Sequence, residues 1–256
     1  MINSPDGFSS PLAASTVIIA CILLLCVPAE AGVVYETGFE SGEGFSPGNL
    51  GGQDSWWAVT DAAIGPPVVQ GAQYAPPVGA QAVELPHNPD DYLAAGTLVA
   101  KRVFTDPTAT LPIVTIVQDV RFTQIGETGF RIGIYGASEV TSSVEFYAYG
   151  DIYVNDPGRV QSRGTWTADT WTSLEIVLDF TNQQIDAFYG GITLVEDLAF
   201  QNLDGFSEYR LWNIGLLNEG SSMFLDNLKI TATPEPGAFA TLAVGALAAL
   251  WKRRRT

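Results

Sequence analysis

Residues 173 to 180 alternate between two chemistries. Leu174, Ile176, Leu178 and Phe180 fall on one side, Ser173, Glu175, Val177 and Asp179 on the other, which is the period of a half-buried β-strand. Thr181, Asn182 and Gln183 form a turn, and Ile185, Ala187 and Tyr189 resume the alternation before Gly190 and Gly191, so residues 171–189 read as a hairpin. Similar runs recur at Thr97–Phe104, Ile113–Phe122, Gly129–Tyr135, Val144–Val154, Glu208–Leu216 and Ser222–Thr231, separated by Gly, Pro, Asp and Asn. No amphipathic helix, fixed-period repeat or heptad run intervenes, so the pattern predicts an all-β protein, an antiparallel β-sandwich. Residues 41–54 and 65–79, rich in Gly and Pro, are expected to be long surface loops.

The two ends follow another pattern. Val17–Val27 is an unbroken apolar run, too short to span a bilayer and followed by Ala29, Glu30 and Ala31, the layout of a signal helix cleaved after Ala31. Its leading segment departs from that layout, having no Lys or Arg and carrying Asp6. Both cysteines, Cys21 and Cys26, lie within the run, so a mature chain would have no disulfide, thiol nucleophile or cysteine-bound metal. At the other end Pro234, Glu235 and Pro236 interrupt regular structure, an apolar helix is expected over 237–251, and Lys252, Arg253, Arg254 and Arg255 follow. Such a helix covers about 22 Å against roughly 30 Å of hydrocarbon, a marginal transmembrane anchor, and the basic cluster beyond it should stay cytoplasmic. Three regions result: 1–31, a signal peptide; 32–231, a sandwich ectodomain; and 232–256, a C-terminal signal.

The order of tripeptide, apolar stretch and basic cluster resembles the PEP-CTERM sorting signal of diderm bacteria. That resemblance implies a substrate of an exosortase-type processing enzyme. The chain would be exported by the secretion machinery, anchored transiently in the inner membrane, and sorted to the cell surface or an exopolysaccharide-rich extracellular matrix. It makes the chain a processed substrate, not the processing enzyme; the role expected of it is structural or adhesive, that of a non-enzymatic protein.

Charge narrows the partners. The 256 residues carry a net charge of −16. Without Asp6, Glu30, Glu235 and the four basic residues of the tail, residues 32–233 hold 25 acidic against 8 basic residues, a net −17. Such a surface repels polyanions, which excludes nucleic acid.

Within the middle region, Trp171, the strand Glu175–Phe180, and Tyr189, Gly190 and Gly191 are similar to a hairpin of laminin G-like and concanavalin A-like jelly rolls. Phe224, Leu225, Asp226, Asn227 and Leu228 resemble the closing strand of that superfamily, and residues 39–57 its opening segment. Glucanases of that group carry a Glu-x-Asp-x-x-Glu strand, and the chain has none. Its one histidine, His87, lies among prolines, and there is no Gly-x-Ser-x-Gly, P-loop, HExxH or EF-hand spacing, so no catalytic residue is assigned.

Two constellations remain. If Val144–Val154 is one strand with Val144, Phe146, Ala148, Ile152 and Val154 inward, then Glu145, Tyr147, Tyr149, Asp151 and Tyr153 face out as an aromatic and acidic strip. Sugars stack on such rings while carboxylates accept their hydroxyl protons, so a carbohydrate-binding module for extracellular polysaccharide is the second function. The tyrosines serve equally as strand formers or under a loop. A degenerate glycoside hydrolase or polysaccharide lyase is the third. Of neighbouring Trp56 and Trp57, a strand can bury only one. Asp226 falls in phase with apolar Phe224, Leu228 and Ile230, and a buried carboxylate needs a cation or several donors. Related jelly-roll modules hold a structural Ca²⁺ between first and last strands, which implies a site of Glu40 and Asp226; amides of a turn would satisfy Asp226 as well. No other cofactor is expected.

Overall fold

The computed structural model describes residues 31–59, 66–71, 79–85, 97–105, 111–123, 129–137, 140–155, 160–200, 205–214 and 221–233. The apolar run at 17–27, Ala29, both cysteines, His87, Pro234, Glu235, Pro236, residues 237–251 and the basic cluster Lys252 to Arg255 lie outside them. Among the described residues there are sixteen strands and no α-helix, and no helix is long and apolar enough to cross a membrane.

The strands are β1 (Gly32–Thr37), β2 (Gly48–Asn49), β3 (Trp56–Ala58), β4 (Val68–Gly71), β5 (Gln81–Leu85), β6 (Thr97–Val103), β7 (Ile113–Phe122) and β8 (Phe130–Tyr135). They continue with β9 (Val140–Phe146), β10 (Asp151–Val154), β11 (Gly164–Thr165), β12 (Thr172–Asp179), β13 (Gln184–Tyr189), β14 (Ile192–Ala199), β15 (Glu208–Asn213) and β16 (Met223–Thr233). Every pairing is antiparallel. One sheet of nine strands runs β14-β13-β12-β7-β16-β5-β4-β2, with β1 added to β16, and the other of seven strands runs β11-β10-β9-β8-β15-β6-β3.

Period-two patterning drives this arrangement. In β7 every second residue from Val114 to Phe122 is buried, and in β12 Leu174, Ile176 and Leu178 are fully buried as expected. The sheets meet through aromatic rings: Phe122 of β7 lies 4.8 Å from Phe146 of β9 and 6.0 Å from Phe130 of β8. Burying a ring of this size stabilises the fold by about 1.5–3 kcal/mol. One inward position of β7 is polar. Gln118, almost wholly buried, accepts a hydrogen bond through Oε1 from the Tyr209 hydroxyl of β15, the opposite sheet.

Two expectations need correction. Residues 65–79 are not a plain loop, because Val68–Gly71 pairs with β5, and neither are residues 41–54, where Gly48–Asn49 pairs with β4 and Phe45 and Leu50 are buried. The run Val144–Val154 is not one strand: β9 ends at Phe146, a 3₁₀ turn occupies Ala148–Gly150, and β10 returns to pair Ile152 with Phe146. Tyr149 (φ 67°) and Gly150 (φ 90°) both take left-handed backbone, and glycine at the second position lets the chain reverse.

Candidate functional site

β16 changes partner along its length. On one side it pairs with β7 throughout, but on the other Met223–Leu225 pairs with β5 and Leu228–Ala232 with β1. Asp226 and Asn227 occupy the handover. An extra residue enters there, since Asp226 opposes Asp119 while Lys229 opposes Val117, and Asn227 takes a left-handed φ of 50°. The bulge switches which positions face the core. Met223 and Leu225 point inward before it, Leu228 and Ile230 after it. Asp226 is therefore buried as expected, yet it shares the outer face of the sheet with Phe224, Arg121 and Asp119, not the inter-sheet core.

The chain after β1 covers it. Phe39, buried with a left-handed φ of 57°, meets Phe45 edge to face and Trp56 at a tilt, which fixes the turn. Glu43 Oε2 accepts hydrogen bonds from Thr37 Oγ1 at 2.9 Å, the Gly38 amide at 2.9 Å and the Glu40 amide at 3.1 Å. Glu40 Oε1 accepts from the amides of Ala80 at 2.6 Å and Gln81 at 3.0 Å, tying this turn to the start of β5. Gly79 (φ 95°) lies so close to the Glu40 carboxylate that a Cβ there would collide with it. Glu43 reaches back to the Glu40 amide as the third residue of a capping box does, but with Glu in place of the usual Ser, Thr, Asp or Asn at the first position the sequence carries no such signal.

Asp226 is fully buried, and neither carboxylate oxygen accepts a hydrogen bond of good geometry. Burial pushes its pKa up to about 7, aided by the charges of Asp119, Glu40 and Glu43; the Asn227 amide N–H offsets part of this from outside hydrogen-bond geometry. A Cβ placed on Gly38 would stand 3.7 Å from both Asp226 Oδ1 and Glu40 Cγ, so Glu40 and Asp226 flank the same glycine. Beside them opens a cleft of about 350 Å³ lined by Glu36, Glu40, Glu43, Asn227 and Lys229, among others. Lys229 Nζ bonds both Glu36 oxygens, at 3.0 and 3.1 Å, and Asn227 Nδ2 donates to Asp119 Oδ2 at 2.8 Å. Among the described residues no three Asp, Glu, His or Cys side chains are grouped closely enough to hold a metal ion by themselves.

The tyrosine strip lies on the outer face of the seven-stranded sheet. Tyr147 and Tyr153 meet edge to face with ring centroids 6.1 Å apart, and Asp151 is half-buried on the same strand as Tyr153. Tyr149 sits on the turn, 73% exposed, and is not part of the strand. Of the tryptophans, Trp56 is buried and Trp57 is 48% exposed on this outer face. Register brings Lys101, Arg210, Gly133, Trp212 and Arg131 beside them, residues that the sequence pattern does not single out. Trp57 opposes Lys101, which opposes Arg210, which opposes Gly133; beside that row Trp212, Arg131, Glu145 and Tyr153 oppose one another in turn.

No family model and no curated protein matches the chain. Solved structures resemble its fold. A sialidase aligns at TM-score 0.55 and 12% identity over 70% of this chain, which spans 17% of the sialidase's length. An alginate lyase from Corynebacterium sp. aligns at TM-score 0.48 and 13% identity, covering 72% of this chain and 91% of that one. The binding domain of botulinum neurotoxin serotype C1 aligns at 0.47 and 10%, covering 84% and 52%. The sialidase likeness is one of fold alone: an antiparallel, jelly-roll-like sandwich.

Proposed function

We propose that the chain is a non-enzymatic, exported protein of the cell surface or extracellular matrix, processed by an exosortase-type enzyme at its C-terminal signal. The supporting observation is the junction: the last core strand, β16, ends at Thr233, directly before Pro234, Glu235 and Pro236, and the apolar and basic segments follow in the order a sorting tail requires. Replacing the three tail residues by alanine should leave a membrane-bound form of higher mass, measured by intact mass spectrometry of cell-surface and medium fractions. Release of that variant at the mass of the parent would overturn the reading. The same spectra test cleavage after Ala31.

The proposal includes a structural Ca²⁺ at the handover in β16. Asp226 supports it, since two buried carboxylate oxygens that accept no hydrogen bond of good geometry suit a hard cation that prefers oxygen ligands. Asp226 and Glu40, which flank Gly38, would hold it. The ion would supply positive charge among Asp226, Asp119, Glu40 and Glu43. Millimolar Ca²⁺ should raise the unfolding temperature of the full-length chain over that in chelator and leave Asp226→Asn unmoved. An unshifted parent would remove the ion from the proposal.

A second reading, a carbohydrate-binding module, is favoured by the edge-to-face pair Tyr147–Tyr153 on an outer sheet face.

A further inference from the structure

We infer that the outer face of the seven-stranded sheet binds an uncharged polysaccharide chain laid across the strands from Trp57 to the Tyr147–Tyr153 pair. This deepens the carbohydrate-binding reading and rests on it, naming a larger site and one ligand class.

The face is built from three kinds of group. Its aromatic surfaces are Trp57 at one end, Trp212 and Tyr135 in the middle, and Tyr147 with Tyr153 at the other end. Gly133 makes the middle flat: a Cβ there would stand 2.8 Å from Tyr135 Cε2 and 3.4 Å from Trp212 Nε1, so both rings lean over a position with no side chain. The Arg210 guanidinium lies 3.7 Å from the Tyr135 ring centroid and extends that surface. From β3 to β10 the face crosses six strands, about 24 Å at the usual strand spacing, room for several sugar rings in a row.

Charge selects among glycans. Three of the eight cations of residues 32–233, Lys101, Arg131 and Arg210, stand on this face. Each already has a carboxylate: Glu208 accepts from Arg210 Nε at 2.6 Å and from Lys101 Nζ at 3.4 Å, and Glu145 accepts from Arg131 Nε at 2.7 Å. A polyanion would have to compete with these internal carboxylates while approaching a molecule of strongly negative charge. An uncharged chain meets neither obstacle. A guanidinium has five N–H donors, more than one carboxylate occupies, and the partly exposed Glu208 carboxylate keeps lone pairs, so hydroxyls find both donors and acceptors beside ring surfaces. Trp and Arg are also the side chains on which binding energy concentrates in interfaces.

The test is affinity electrophoresis of the full-length chain in mild non-ionic detergent, through native gels containing galactomannan, laminarin or dextran, with alginate and polygalacturonate as charged counterparts. Retardation is expected in at least one neutral gel and not in the uronate gels. Trp57→Ala, on the edge strand and half exposed, should weaken it about tenfold, as should Arg210→Met, with urea midpoints near that of the parent; Glu175→Gln on the other sheet should leave it unchanged. Retardation by the uronates alone would overturn the neutral-ligand inference and keep the carbohydrate-binding reading. Migration unaffected by all five polymers would overturn both. Neutral-gel retardation insensitive to Trp57→Ala and Arg210→Met would place the sugar elsewhere and overturn the assignment of this face.

Discussion

Asp226→Asn changes one oxygen for an amide nitrogen and leaves the shape of the side chain intact, so it isolates the charge. In the folded chain Asp226 holds its proton up to a pH of about 7, while in the unfolded chain it releases it near 3.8. Between those values the folded state binds a proton that the unfolded state has lost, so stability falls as pH rises and levels off above about 7. Three units correspond to about 4 kcal/mol against the ionised form. A buried amide with unmet donors costs about 1–3 kcal/mol, so in chelator above pH 8 the asparagine variant should be more stable than the parent by about 1–3 kcal/mol. Urea unfolding of both full-length chains at pH 5.5 and 8.5 keeps clear of the isoelectric point near 4.2, where the protein loses its net charge. Over that interval the difference between variant and parent should shift by about 2 kcal/mol in favour of the variant. A difference that stays constant with pH in chelator would refute the reasoning, because it would mean that the charge is satisfied in the folded state. Ca²⁺ should reverse the trend for the parent alone, since it binds the ionised carboxylate.

Two other substitutions probe the core that carries these sites. The Tyr35 hydroxyl accepts from Trp56 Nε1 at 3.2 Å and donates to Asp54 Oδ2 at 2.9 Å, with the Arg102 guanidinium 3.8 Å from its ring; Tyr35→Phe strands the buried indole N–H and should cost about 1–3 kcal/mol, read as a lower urea midpoint at unchanged slope. Phe122→Ala removes the ring that touches Phe130, Phe146 and Trp166, and about 3–5 kcal/mol should be lost in the same assay.

The fold was legible where strands are half-buried. Ile113–Phe122 and the 171–189 hairpin match β7, β12 and β13 closely, because strict alternation reports one face on a core. Strands that alternation does not mark went unassigned: β2 and β11 have two residues each, β5 is buried at four of five positions, and β14 has three neighbouring pairs of like burial. Asp226 was legible as a buried carboxylate from its apolar neighbours, but the side of the sheet it occupies was not, since an added residue at Asn227 reverses the phase and leaves no mark in composition. The breadth of the outer face was hidden for a different reason. Trp57, Lys101, Arg210, Arg131 and Tyr153 lie far apart along the chain and become neighbours only through strand register.

Apolar surfaces alone tolerate sliding, since one methyl group satisfies another wherever they meet. The bond between Tyr209 and Gln118 does not. If either sheet slipped by a pleat, a phenol and a carboxamide would both be stranded in hydrocarbon, each at a penalty of about 1–3 kcal/mol. The pair thus acts as a proofreading device for the sandwich: it adds modestly to the correct alignment and taxes every misaligned one, which keeps distant residues on the outer faces at fixed separations.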